Sequence, residues 1–198
     1  SSDSKEIAWY DGETFAKSVV ASIDGVQQIF ATDLDGDSDV DIVSASFDST
    51  IRLHKNDGSE SFTTSVVDTT DDTIITSLIA ADFDGDADMD LVSAGQSTIS
   101  WHRNDHGTMT SVVLSYPEYS EIFALVAGDV NSDLAIDVVV ASIDTVAWIK
   151  NDGRGRLDEF IVLAEERASD VFLVDIDGDN DNDILSASGT RISWHEKT

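Results

Sequence analysis

Cysteine is absent from the 198 residues, and proline occurs once, at Pro117. Without cysteine there is no disulfide, no thiolate zinc site and no thiol nucleophile. Basic residues are scarce: 11 lysines and arginines face 40 aspartates and glutamates, for a net charge of −29. Nucleic-acid binders need basic faces and anionic bilayers attract basic segments, so the charge argues against both partners. No apolar run reaches the roughly 18 residues of a membrane-spanning helix, and no membrane insertion is expected. The opening "SSDSKEIAWY" is not a signal peptide, having no apolar core behind a basic start. No stretch carries a convincing helical period. The chain is nevertheless 41% hydrophobic, enough for a packed core and too much for an acidic disordered tail. Such a balance favours cations as partners.

An internal repeat organises the chain. "DLDGDSDVD" begins at Asp33, "DFDGDADMD" at Asp82, "DVNSDLAID" at Asp129 and "DIDGDNDND" at Asp175, at intervals of 49, 47 and 46 residues. A period of this size marks repeated supersecondary units and matches one propeller blade. Each unit reads as four short strands. Strand a precedes the acidic loop ("QIFAT", "LIAA", "ALVAG", "FLV"), and strand b follows it ("DIVSAS", "DLVSAG", "DVVVAS", "DILSAS"). Strand c alternates with period two ("TIRLHK", "TISWHR", "TVAWIK", "RISWHE"), and strand d is "FTTSVV", "MTSVVL" or "EFIVLA". "NDG" and "NDHG" between c and d are hairpin chemistry, because Asn and Gly accept positive φ. The expected fold is all-β: a propeller, or a propeller segment, of four-stranded antiparallel blades. Its units fall at about 1–27 (strands c and d only), 28–76, 77–121, 122–168 and 169–198 (strands a, b and c only). Incomplete end blades would expose strand edges, which points to a longer propeller, an incomplete first blade or complementation by another copy.

The acidic loops are poor strand material, since aspartates on alternate residues repel and aspartate disfavours strands. A cation site explains them better. Calcium takes six to eight oxygens from carboxylates, carbonyls and water. Carboxylates at loop positions 1, 3, 5 and 9 can wrap one ion, and glycine at position 4 (Gly36, Gly85, Gly178) permits the sharp turn. Position 2 is apolar in every copy (Leu34, Phe83, Val130, Ile176) and would anchor the loop to the core. Magnesium, which keeps more of its water, fits less well. The EF-hand is excluded: its glutamate at position 12 is replaced here by Ser44, Ser93, Val140 and Ser186, and the flanks are strands.

The pattern D-x-D-G-D-x-x-x-D between strands, followed by "DIVSAS" and by "IAWYDG" or "WHRNDHG", resembles the FG-GAP/VCBS repeats of calcium-binding β-propellers, including the related loops of the integrin α-chain head. The resemblance covers nearly the whole chain. It implies side-chain ligation from positions 1, 3, 5 and 9 and a backbone carbonyl from position 7. Carried over, the first loop would use Asp33, Asp35, Asp37, the Asp39 carbonyl and Asp41. The second would use Asp82, Asp84, Asp86, the Asp88 carbonyl and Asp90. The fourth would use Asp175, Asp177, Asp179, the Asp181 carbonyl and Asp183. The third departs: Asn131 replaces an aspartate, Ser132 the glycine, and Ala135 holds position 7, leaving Asp129, Asn131, Asp133 and Asp137. One charge fewer predicts the weakest of about four calcium sites. Four dications would bring the net charge to about −21, still strongly acidic.

Other features read as scaffold. Trp9, Trp101, Trp148 and Trp194, with Leu53 in the fifth copy, share a strand-c position and are expected to pack between blades rather than form a sugar-stacking array. His54, His102 and His195 point to the opposite face and read as blade-surface residues, not zinc ligands. No Ser-His-Asp, nucleotide-loop or His-Glu-x-x-His pattern is present, so no catalysis is expected. In an up-and-down blade the acidic loops and "NDG" turns share one face. The opposite face would carry Phe47, Tyr116, Glu118, Tyr119 and Arg167 and is where a protein or glycan ligand could bind. The resemblance implies an extracellular or cell-surface module for adhesion or ligand binding, stabilised by calcium. Two alternatives are a self-assembling protein joined head-to-tail through its incomplete end blades, and a lyase or other carbohydrate-active enzyme, or a non-catalytic part of one.

Overall fold

The computed structural model describes residues 5–69, 74–96, 98–114 and 121–196. All regular structure among them is β, in five antiparallel sheets. The first sheet is the hairpin β1 (Glu6–Tyr10) and β2 (Lys17–Ser22). Three four-stranded sheets follow. The first of these runs β3 (Val26–Thr32), β4 (Asp41–Ser46), β5 (Thr50–Asn56), β6 (Phe62–Thr69). The next runs β7 (Ile75–Ala81), β8 (Asp90–Gly95), β9 (Ile99–Asp105), β10 (Thr108–Leu114). The third runs β11 (Ile122–Gly128), β12 (Asp137–Ser142), β13 (Val146–Asn151), β14 (Leu157–Ala164). The last sheet has three strands, β15 (Asp170–Val174), β16 (Asp183–Ala187) and β17 (Ile192–His195). Each complete sheet pairs its strands in chain order. These are the blades of a β-propeller.

The first strands of successive blades, β3, β7, β11 and β15, lie side by side and form the inner edge of the arc. Contacts across this edge include the Ser77 hydroxyl accepting from the Leu125 amide at 3.1 Å. Burial on both faces explains why the second strands, such as "DVVVAS", are nearly continuous apolar runs. On β8, Leu91 faces one neighbouring blade and joins Leu53, Val43 and Ala45. The alternate residues Val92 and Ala94 face the other neighbour and join Val138, Val140 and Ile149. The strand-c position expected to pack between blades does so. Leu53 and Trp101 are buried against the following blade, and Trp148 packs with Val130 and Ile184. Trp194 on the last sheet stays half-exposed.

His54 and His102 are fully buried rather than on a blade surface. Each bridges three strands: Ser44–His54–Thr64 and Ser93–His102–Ser111, every contact 2.8 Å. His195 repeats the contact to Ser186 at 2.9 Å. The serine of "DIVSAS" lies on the same face as the histidine, so these three sheets pack a polar pair inside an apolar stack, whereas in the β11–β14 blade Val140 and Ile149 fill the same two places. That pairing satisfies groups that burial would otherwise penalise.

Candidate metal centre

Each acidic loop is built in the same way, from backbone upward. Loop positions 4 and 6 both have left-handed backbone: Gly36 and Ser38, Gly85 and Ala87, Ser132 and Leu134, Gly178 and Asn180, with φ from 61° to 82°. This double reversal curls the chain around the aspartate at position 1. In the first loop Asp33 accepts from the Gly36 and Ser38 amides, both at 2.9 Å. Asp82 accepts from Gly85 and Ala87, Asp129 from Asp133 and Leu134, and Asp175 from Gly178 and Asn180. The position 5 carboxylate accepts from the position 7 amide in all four loops, at 2.9 to 3.1 Å.

Position 9 is the buried end. Asp41, Asp90 and Asp137 have no exposed surface, and Asp183 is almost as deep. Each accepts from the position 2 amide: Leu34, Phe83, Val130 or Ile176. The first three also accept from the amide of an asparagine ending strand c: Asn56, Asn104 or Asn151, at 2.6 to 2.8 Å. Burial pushes the Asp41 and Asp137 carboxyls above the ordinary value and that of Asp90 to about 6, opposed by those amide bonds. Position 2 is the apolar anchor in three copies, Leu34, Phe83 and Val130 being at most 2% exposed. Ile176, on the outer face of the last sheet, is 44% exposed.

The structure brings Asp33, Asp35 and Asp37 together, and likewise Asp82, Asp84 and Asp86, with one carboxylate oxygen of each residue within 4.8 Å of the others. In the fourth loop the converging trio is Asp175, Asp177 and Asp183. Oxygens bound to one calcium at roughly 2.3–2.6 Å lie at most about 5 Å apart, so the clusters fit that ion. Asp35 adds a second sign of fit, because its Oδ1 is buried and accepts no hydrogen bond. The third loop is different: the Asn131 amide donates to Asp133 Oδ2 at 2.7 Å, an internal substitute for positive charge. In the first three loops the position 7 side chain turns away toward its own blade's hairpin: Asp39 lies against Gly58, Asp88 accepts from the His106 amide at 2.9 Å, and a Cβ on Gly153 would stand 3.5 Å from Ala135.

Two residue sets escaped the sequence reading. One is basic: Lys55 contacts Asp35 and Asp37, Arg103 contacts Asp84 and Asp86, and Lys150 lies 3.9 Å from Asp133. The contact of Arg103 Nε with Asp84 Oδ2, at 2.6 Å, is ionic rather than a directed hydrogen bond. The other is the asparagine that follows. Besides closing its own loop, Asn104 donates from Nδ2 to the Leu34 carbonyl of the preceding blade at 2.5 Å, and Asn151 to that of Phe83 at 2.6 Å. The last blade has no asparagine at this point. Asn182, from loop position 8, makes the equivalent link to the Asp129 carbonyl at 2.8 Å. The recurrence of "KN", "RN" and "KN" at the end of strand c was a visible signal for both sets.

On the opposite face, Phe47 is exposed and the Arg167 guanidinium stacks 5.2 Å from the Phe123 ring. Tyr116, Glu118 and Tyr119 lie outside the described residues.

Comparison with known proteins agrees with this architecture. The family model for FG-GAP-like repeats matches three overlapping stretches, residues 33–93, 82–140 and 129–186. A lectin of Agrocybe aegerita that recognises non-reducing terminal N-acetylglucosamine superposes with a TM-score of 0.59 at 17% identity, over 82% of this chain and 47% of the lectin. BBS1N in its complex with ARL6DN superposes with a TM-score of 0.58 at 17% identity, over 80% of this chain and 50% of that one. The chain thus spans about half the length of these solved structures. No curated protein matches it.

Proposed function

Given that the chain belongs to the FG-GAP-like repeat family, we propose that it is a calcium-binding propeller module, in which ions in the acidic loops fix the blades and the assembled blades present a binding surface. The observation that carries this reading is the convergence of three carboxylates, the same way in two loops and with Asp183 in a third. Asp33, Asp35, Asp37 and Asp41 would hold the first ion. Asp82, Asp84, Asp86 and Asp90 would hold the second, and Asp175, Asp177, Asp179 and Asp183 the fourth. Asp129, Asn131, Asp133 and Asp137 would hold the third, most weakly. The carbonyls of Asp39, Asp88, Ala135 and Asp181 would complete the shells. Calcium supplies two positive charges at a loop whose carboxylates otherwise repel, so binding is linked to folding. Millimolar calcium outside cells suits even weak loops, which favours an extracellular or cell-surface setting. The ligand would be a protein or a glycan, on the face opposite the loops, and the reading includes no catalytic step.

A thermal melt with and without EDTA, beside metal stoichiometry by elemental analysis, tests the calcium reading. Bound calcium and a lower Tm in EDTA are expected, whereas no bound calcium and an unchanged Tm would overturn it. A glycan panel that includes N-acetylglucosamine-terminated chains tests the ligand class.

A second reading, self-assembly, has its own observation. Ile29 is 60% exposed, where its counterparts Leu78 and Leu125 are 7% exposed under a neighbouring blade. At the other end Phe172, Ile192 and Trp194 are exposed. Light scattering across a concentration series decides this reading, and a monomer throughout would end it.

A further inference from the structure

Three of the four acidic loops have a cation supplied by their own blade. Lys55, Arg103 and Lys150 stand at one strand-c position, directly before the stapling asparagine. Lys55 Nζ pairs with Asp35 and lies 3.5 Å from Asp37. Arg103 lies 2.6 Å from Asp84 and 3.8 Å from Asp86. Both therefore sit between loop positions 3 and 5, where a bound ion would draw its ligands. Lys150 reaches only position 5, since Asn131 occupies position 3. In the last blade the same strand position is Glu196. Among the described residues no basic side chain pairs with Asp175, Asp177 or Asp179 there.

Burial shows how the two partners could separate. The carboxylates are fixed: the Asp35 and Asp84 side chains are 10% and 6% exposed. The bases are not: Lys55 and Arg103 are 48% and 51% exposed. A long side chain with its head half in water can swing outward while the loop keeps its shape. A dication and an ammonium compete for the same pair of carboxylates, because like charges a few ångströms apart repel each other.

Resting on the calcium reading above, we propose that the strand-c base is a built-in competitor of the divalent ion, which must expel Lys55 or Arg103 to bind, and that Glu196 makes the fourth loop the tightest site. The base also sets the metal-free state, since it partly neutralises the first, second and third loops, whereas Glu196 at the same position adds a negative charge beside the fourth. Calcium then fills the fourth loop first, the first and second next, and the third last.

Calorimetric titration of the chelator-treated full chain with calcium alone tests this, using Lys55→Gln, Arg103→Gln, Lys55→Arg and Glu196→Lys. Lys55→Gln and Arg103→Gln should each tighten one calcium step by about two- to fivefold, and Glu196→Lys should weaken the tightest step by a similar factor. Lys55→Arg should match the parent. A thermal melt separates competition from a merely structural contact: Lys55→Gln should lower Tm in EDTA yet show a larger calcium-induced rise. Unchanged or weaker calcium steps in the Gln variants would overturn the competitor role and leave calcium binding intact. If calcium binds neither the parent nor any variant, the calcium reading fails and this inference fails with it.

Discussion

Asp37 and Asp39 stand two residues apart in one loop and do different work. Asp37 lies in the carboxylate cluster, where the Asp39 amide and the Lys55 ammonium hold its carboxyl below the ordinary value. Asp39 turns toward the Gly58 hairpin. Asp37→Ala should therefore weaken one calcium step by more than about tenfold, and Asp39→Ala by less than about threefold, in a calcium titration. Equal losses would show that the ligand assignment is wrong. Leu134 is a second case of position deciding residue. Its φ is 72° and its side chain is 91% exposed, so it contributes strain and no packing. The fourth loop has Asn180 at this point, a residue that tolerates left-handed backbone. Leu134→Asn should stabilise the protein by about 0.5–1 kcal/mol in urea denaturation.

In the β3–β6 and β7–β10 blades strands b, c and d are joined by the buried histidine and its hydroxyl partners, and the histidine therefore reports on the element. Burial lowers the His102 pKa from 6.5 to about 4, although nearby Asp68, 3.3 Å away on the preceding blade, opposes the shift. The folded state keeps this ring neutral. Its contribution is thus present above pH 6.5 and is lost as pH falls from there toward 4, where the unfolded chain takes up the proton first. The stability difference between the parent and His102→Asn should shrink across that window in urea titrations, and a constant difference would contradict it. The asparagine staple belongs to the same scale. Removing the Asn104 amide leaves the Leu34 and Met89 carbonyls without the donor they share. Asn104→Ala should cost about 2–3 kcal/mol, measured by urea denaturation, more than an exposed asparagine would.

Stacked blades make the whole molecule, and the loops sit where consecutive blades meet. A Cβ on Gly107 would stand 3.6 Å from Asp35 of the preceding blade, and one on Gly155 would meet Asp84 at 3.0 Å. Metal in a loop would thereby stiffen a contact between blades as well as a turn. Chelation should lower Tm and broaden the melt, because blades that lose their ions uncouple from their neighbours. A uniform shift without broadening would mean that the ions act within single blades.

The repeat, its strands and the acidic loops were legible in the sequence, because each rests on local chemistry: period-two alternation, Asn-Gly turns, and aspartates that no strand would accept. The recurring "KN" and "RN" marked the positions of the base and the asparagine, but that the one meets the carboxylates and the other the preceding blade was not legible, and neither was the burial of His54 and His102. All three depend on which side chains meet when one sheet is laid on the next, and a residue's neighbours across a blade interface lie 48 to 70 positions away in the chain, as with Ser77 and Leu125 or Leu34 and Asn104. The sequence by itself determined what each blade is, since backbone propensity and patterning act over a few residues. Only the tertiary structure decided which loops carry their own counter-charge and which polar groups are sealed between blades, because burial and Coulomb energy are set by distances in space.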